Sequence, residues 1–145
     1  MDHRINAVES GTTWWMPQRG SPSPTIASDD PAPAGRRVLI AHDDAVVLDL
    51  LAEFIALEGH DVRCAADGTS ALRAVGVRRP DVVVADAELS GLDGGTLARR
   101  LREWETPIVL LGARDDVPSP AGVIPLPKPV DVERLLTLVA ATSRP

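Results

Sequence analysis

The chain has 145 residues, 44% of them hydrophobic and 25% charged, which fits one globular domain with a buried core and excludes a fibrous or wholly disordered polymer. Its formal net charge is -6; residues 1–37 are neutral, with four acids against four arginines, so the excess lies on residues 38–145 and the basic footprint of a nucleic-acid binder is absent. Cys64 is the single cysteine, which excludes an internal disulfide framework, and with neither a long apolar run nor a signal peptide a cytoplasmic protein without a membrane span is expected.

Residues 1–36 read as a tail. The stretch GTTWWMPQRGSPSPTIASDDPAPAG is crowded with Pro, Ser, Gly and Thr and carries no sustained helix or strand period, so disorder is expected there. Trp14 and Trp15 stand out: they either anchor a partner, fold back on the domain, or are a chance pair in a leader. Met16 is an alternative start.

A domain over residues 37–145 is expected to follow, built of alternating strands and helices. VLIA (38–41) is a short apolar strand. Val47, Leu50, Leu51, Phe54 and Leu57 then recur at helical spacing as far as Gly59, a C-terminal cap. DVRCAA is a second strand, and DGTSALRAVGV a short helix whose start is marked by Thr69 or Ser70. DVVVAD is a third strand, followed by the helix GGTLARRLREW with Leu97, Leu101 and Trp104 on one face. PIVLLGA and VIPL supply two more strands. The closing helix, DVERLLTLVAATS, has Asp131 at its N-cap and Leu135, Leu136, Leu138 and Val139 on its apolar face. Strands and helices alternating at this spacing predict an open parallel sheet covered on both sides.

In such sheets the ligand site lies outside the carboxyl ends of the strands. The first strand runs into His42, Asp43 and Asp44, the third into Asp86, the fourth into Gly112 and Ala113, and the fifth into Pro127 and Lys128. An Asp that closes an apolar run is either an ordinary strand-end polar group or a placed one, because an ionised carboxylate is costly to bury alone. The company of Asp43, Asp44 and Lys128 favours placement. Lys128 is also the only Lys in a chain with fourteen Arg. Simpler roles are expected for other residues: Asp44 as a helix N-cap, Arg99, Arg100 and Arg102 as a solvated helix face, and Cys64 as a buried small hydrophobe.

The segments VLIAHDD, PDVVVADAELSGLDG, TPIVLLGA and LPKPVD, in that order, resemble the acidic-pair strand, phosphoacceptor strand, fourth strand and lysine loop of a response-regulator receiver domain of two-component signalling. The resemblance covers about three quarters of the chain. It implies a flavodoxin-like, doubly wound sheet of five parallel strands in order 2-1-3-4-5. It also implies transfer of a phosphoryl group to Asp86 from a histidine kinase or phosphotransfer protein. Mg²⁺ would be held by Asp43, Asp86 and the backbone carbonyl of Glu88, and the phosphoryl group would be met by Lys128 and the Ala113 backbone. The residue types suit the chemistry. A carboxylate can store the group as an aspartyl-phosphate, and Mg²⁺ asks for only one or two carboxylates beside waters and phosphate oxygens.

Departures from the family pattern are specific. His42 replaces the first acid of the pair and offers nitrogen where Mg²⁺ prefers oxygen, so metal binding is expected to be weak. Gly112 stands where a hydroxyl residue closes the fourth strand, and Pro125 where an aromatic precedes the lysine. Only nine residues, RDDVPSPAG, lie between Ala113 and the fifth strand, and they include Pro118 and Pro120, so the fourth helix is expected to be shortened or absent. Two functions remain open. One is a stand-alone phosphoacceptor that signals through protein contacts, with no DNA-binding or enzymatic domain after Pro145. The other is a pseudo-receiver interaction module that phosphate does not switch. A phosphatase-like hydrolase is a distant third, since no substrate-covering insertion is present.

Overall fold

A computed structural model describes residues 35–116 and 118–142, together with the backbone of residues 5–9 and 12–15. Five strands, β3 (Arg37–Ala41), β4 (Asp61–Ala65), β5 (Val82–Asp86), β6 (Ile108–Leu111) and β7 (Val123–Leu126), lie parallel in the spatial order β4-β3-β5-β6-β7. Counted along the chain this is the expected order 2-1-3-4-5. Four helices among the described residues cover the sheet: α1 (Ala45–Leu57), α2 (Gly68–Val77), α3 (Gly94–Arg102) and α4 (Val132–Ala141).

The strand alternation splits the core in two. Val38, Ile40, Val82, Val84, Val109 and Leu111 face α1 and α4, while Leu39, Ala41, Val83, Ala85, Ile108 and Leu110 face α2 and α3. All five residues of β5 are buried, as a central parallel strand requires. No helix occurs among the described residues of 112–122, so β6 passes to β7 through turns. The fourth helix of the expected pattern is thus absent there. Ile108 N–H donates to the Gly122 carbonyl and Gly112 N–H to the Leu126 carbonyl, both at 2.8–2.9 Å. By alternation Val123 and Pro125 point their main chains away from β6. Val123 N–H turns to the Pro120 carbonyl at 3.1 Å.

Two further strands, β1 (Ile5–Glu9) and β2 (Thr12–Trp15), form an antiparallel hairpin whose second strand pairs with β4, with Thr12, Thr13 and Trp14 opposite Ala65, Cys64 and Arg63. Of the expected tail, residues 1–4, 10–11 and 16–34 lie outside the described residues, as do the side chains of residues 5–9 and 12–15, Trp14 and Trp15 among them. Ser143–Pro145 at the other end also lie outside them.

Helix starts follow side-chain chemistry. Asp44 caps α1 by accepting from Val46 and Val47 N–H, and Asp131 caps α4 through Arg134 N–H, both as expected. The start of α2 needs correction: Asp67, not Thr69 or Ser70, is the cap, and accepts from Ser70 N–H at 2.7 Å. The buried face of α1 also differs. Leu51, Ala52 and Ile55 are buried, whereas Leu50, Phe54 and Leu57 are 50%, 42% and 73% exposed. The helix is apolar around most of its girth, so periodicity admits two stripes, and the one containing the small Ala52 packs against the sheet. Cys64 is buried, and burial pushes its thiol up to about 12, which leaves it unreactive.

Arg36 ties the amino edge of the sheet together. Its guanidinium donates to the Ala140 carbonyl at the end of α4, and its N–H donates to Nδ1 of buried His60 at 2.9 Å. Burial, and then the Arg36 charge, hold His60 below its ordinary value of 6.5. The folded state therefore binds the proton more weakly than the unfolded chain. Stability is retained above the ordinary histidine range and falls as pH drops through and below 6.5. Urea midpoints at pH 7.5 and 5.5 are expected to differ more in the native protein than in His60→Gln; an equal drop in both would assign the pH dependence elsewhere.

Candidate functional site

Strand order reverses at β3, because the chain goes outward to β4 and returns across β3 to β5. The switch point therefore lies between the carboxyl ends of β3 and β5. Ala41 is level with Ala85, so the next step brings His42 level with Asp86 on the adjacent strand. Asp86 has the facing of Val82 and Val84, at the rim of the α1/α4 side.

Asp86 is 6% exposed, and Lys128 Nζ lies 2.7 Å from its Oδ1. Oδ1 is enclosed and meets no aligned hydrogen-bond donor among the described residues, so the contact is a charge pair first. Half of the lysine side chain stays exposed. The ammonium thus enters from solvent, while the carboxylate is held from below by the core. The loop after β7 delivers the lysine, and the Lys128–Pro129 bond is cis. A cleft open to solvent runs over the pair, lined by Asp86, Glu88, Gly112, Arg114, Pro127 and Lys128 among others.

The other expected residues fall around this pair. Asp43 is exposed just past β3, and its carboxylate accepts from Ser90: the backbone N–H reaches both oxygens at 3.2 Å, and the hydroxyl reaches Oδ1 at 3.1 Å. His42 is buried, and its Nδ1 accepts from Asp44 N–H at 3.1 Å, so that lone pair faces the chain's own backbone. Glu88 is exposed at the cleft. Ala113 also lines the cleft, with its N–H turned back to the Leu110 carbonyl at a long 3.4 Å.

Gly112 has a steric basis. Its φ is +90°, and an added Cβ would lie 3.2 Å from Lys128 Cε. The lysine stem passes close to the position where a side chain would stand, so a residue at 112 would have to displace it by a few tenths of an ångström, and the left-handed φ also favours glycine. Pro125 lies in β7 opposite Leu110.

Ser90 and Arg114 also stand at the site. Ser90 carries no signal beyond being a hydroxyl in the loop that follows Asp86. Arg114 lines the cleft and forms a two-pronged exposed ion pair with Asp116 at 2.9 and 2.7 Å. Asp93, which caps α3, is kept below the ordinary carboxylate range chiefly by Thr96 N–H. Arg99, Arg100 and Arg102 are exposed in the last turn of that helix, where their charge suits its carbonyl end.

Among the described residues no three His, Cys, Asp or Glu side chains are grouped to enclose a metal. The donors that fit a hard cation are the Asp43 and Asp86 carboxylates. They suit Mg²⁺, which keeps several waters and needs few protein oxygens.

The parallel sheet and a lysine-paired aspartate at its switch point define a receiver-type signalling module. The chain belongs to the response-regulator receiver domain family, whose model matches residues 38–140. It is 35% identical to the response regulator MprA of Mycobacterium sp. (strain KMS) over 116 residues, covering 74% of this chain and 50% of that protein. The MprA protein of Mycobacterium leprae (strain TN) is likewise 35% identical, with 74% and 51% covered. The chain spans about half the length of these curated relatives. Among solved structures, the receiver domain of Francisella response regulator 1452 superposes with a TM-score of 0.66 at 29% identity, covering 74% of this chain and 95% of that one. The signal receiver domain of an HD domain-containing protein from Pseudomonas fluorescens Pf-5 gives 0.66 at 26% identity, covering 74% and 94%. Receiver domains are signalling modules that accept phosphoryl groups and interact with histidine kinases or phosphotransfer proteins. No helix among the described residues is long and apolar enough to cross a membrane.

The backbone around Asp86 sets a strict steric limit at Gly94. A Cβ there would lie 2.6 Å from the Asp86 carbonyl oxygen and 2.8 Å from Ala87 Cα. Gly94→Ala is expected to destabilise the fold by about 1–3 kcal/mol through overpacking and to displace Asp86. Urea unfolding checks the first effect and amide shifts around residue 86 the second; an unchanged midpoint would show that α3 yields without cost.

Proposed function

We propose that Asp86 is the phosphoacceptor, taking the phosphoryl group from a phosphohistidine of a histidine kinase or phosphotransfer protein. The observation that carries this reading is the 2.7 Å pair between Lys128 Nζ and Oδ1 of a carboxylate buried at the switch point. A carboxylate oxygen of Asp86 bonds to phosphorus as the phosphorus–nitrogen bond of the donor breaks, and the imidazole leaves with that electron pair. Lys128 is a mobile point charge on a half-exposed stem, suited to pass from the carboxylate to the phosphoryl oxygens. Bound Mg²⁺ would supply charge neutralisation on the transferring group, held by Asp43 and Asp86 with the Glu88 carbonyl as a further oxygen. The Ala113 amide would release its long contact to Leu110 and donate to the phosphoryl group. The product is relayed by protein contacts.

A second reading, an interaction module that phosphate does not switch, is favoured by Gly112 beneath the lysine stem and by the turns that replace a helix at 112–122. Asp86, Asp43 and Lys128 together support the first reading, and on the second the chain acts as a folded binding module whose contacts do not depend on phosphate.

Incubation with acetyl phosphate and Mg²⁺ is expected to add about 80 Da to the native protein and nothing to Asp86→Asn, by phosphoryl chemistry at the carboxylate. An adduct kept by the variant would move the acceptor to another residue. His42→Asp is expected to tighten Mg²⁺, since a carboxylate adds about 1 kcal/mol or more of attraction even in high dielectric. An unchanged titration of amide shifts would place residue 42 outside the metal's surroundings.

A further inference from the structure

Both carboxylates expected to hold a cation are already engaged by donors in the resting chain. Asp86 is paired with Lys128, and Asp43 accepts three contacts from Ser90. The Ser90 amide reaches the two Asp43 oxygens at equal distances of 3.2 Å, so it lies across the open end of the carboxylate. The hydroxyl adds a third contact at 3.1 Å. Ser90 is itself fixed: its carbonyl accepts from Gly68 N–H at 3.0 Å at the start of α2 and from Leu92 N–H at 2.8 Å, and neighbouring Leu89 is buried in the α2/α3 core. The residues flanking Asp43 after β3 are each partly engaged. The Nδ1 of His42 is occupied by Asp44 N–H, and Asp44 is committed to capping α1.

We propose that Ser90 is a positioning residue that holds Asp43 in a resting arrangement competing with divalent-cation binding. The inference rests on the phosphoacceptor reading of the site and names the residue that sets its metal affinity. A carboxylate has about four lone-pair positions, and a cation must win some of them from existing donors. Removing a donor therefore favours the cation-bound form by the strength of the lost contact. Ser90 thus couples metal entry to the loop that follows the phosphoacceptor, because Asp43 is released only as that loop lets go.

The test is a MgCl₂ titration of the full chain, followed by amide shifts and by calorimetry, for the native protein, Ser90→Ala, Ser90→Thr and Asp43→Asn. Ser90→Ala keeps the backbone donor and loses the hydroxyl, and is expected to bind Mg²⁺ about two- to fivefold more tightly. Ser90→Thr restores the hydroxyl and is expected to return to the native affinity; Asp43→Asn is expected to lose most of the binding. Melting temperatures without metal show whether the variants are folded, and with metal Ser90→Ala is expected to gain more than the native chain. Unchanged or weaker Mg²⁺ binding in folded Ser90→Ala overturns the proposal. Absence of Mg²⁺ shifts near Asp43 and Asp86 in every protein overturns it together with the metal reading. A native chain that binds Mg²⁺ but takes no phosphoryl group leaves the comparison at Ser90 intact and removes only the acceptor reading.

Discussion

A carboxylate carried to the end of a fully buried central strand is tolerable only if a cation meets it there. In this chain the cation is Lys128, and the pair joins two segments more than forty residues apart through a single 2.7 Å contact. The rest of the structure arranges that meeting. The apolar run of β5 fixes the depth of Asp86, the β6–β7 pairing sets the height at which the lysine loop leaves the sheet, and Gly112 clears the stem's path. Deleting the lysine would leave a buried charge uncompensated, whereas deleting the aspartate would leave a surface lysine in water. The two halves of the pair are thus unequal, and the expensive half is the one proposed to do chemistry.

The same asymmetry explains how much could be read from the residues alone. Asp86 and Lys128 were readable because each breaks a strong local rule: an acid closes a β-branched run, and one lysine stands in a chain that otherwise uses arginine. Asp44 and Asp131 were readable as caps because each immediately precedes an apolar helix. The sheet order was read from the family resemblance, while the bare alternation of strand and helix already required parallel pairing. The buried stripe of α1 was not readable, since Val46, Leu50, Phe54 and Leu57 form an apolar row as regular as the one that packs. Nor was the hairpin of β1 and β2, whose strands are short and whose partner is β4, about fifty residues away. Ser90 escaped because its role lies in two hydrogen-bond donors directed at a residue on another strand, which no local pattern records.

The departures from the family pattern come in groups with a shared physical cause. Gly112 and Lys128 are one arrangement, because the methylene stem runs against the face from which a side chain at 112 would project. His42 and Asp44 are another: the imidazole nitrogen that is unhelpful to a hard cation satisfies the N–H of the helix cap. Missing acid and missing hydroxyl are therefore not gaps in the site. Each position has been refitted to hold the residues that remain.

Pro125 has a consequence that concerns association rather than signalling. A terminal strand in a sheet normally offers outward-pointing amides to any extended chain that comes alongside. Here the outward positions of β7 are Val123 and Pro125; the amide of the first is taken by the Pro120 carbonyl, and the second has none. At the opposite border β4 is already paired with β2. Over Val123–Leu126 the β7 border can accept hydrogen bonds but has no free amide to donate, which weakens edge-to-edge pairing at this end of the sheet, the other end being β1. A partner strand approaching from this side finds only the Val123 and Pro125 carbonyls, so half of the usual main-chain ladder is missing and side chains must supply more of the recognition.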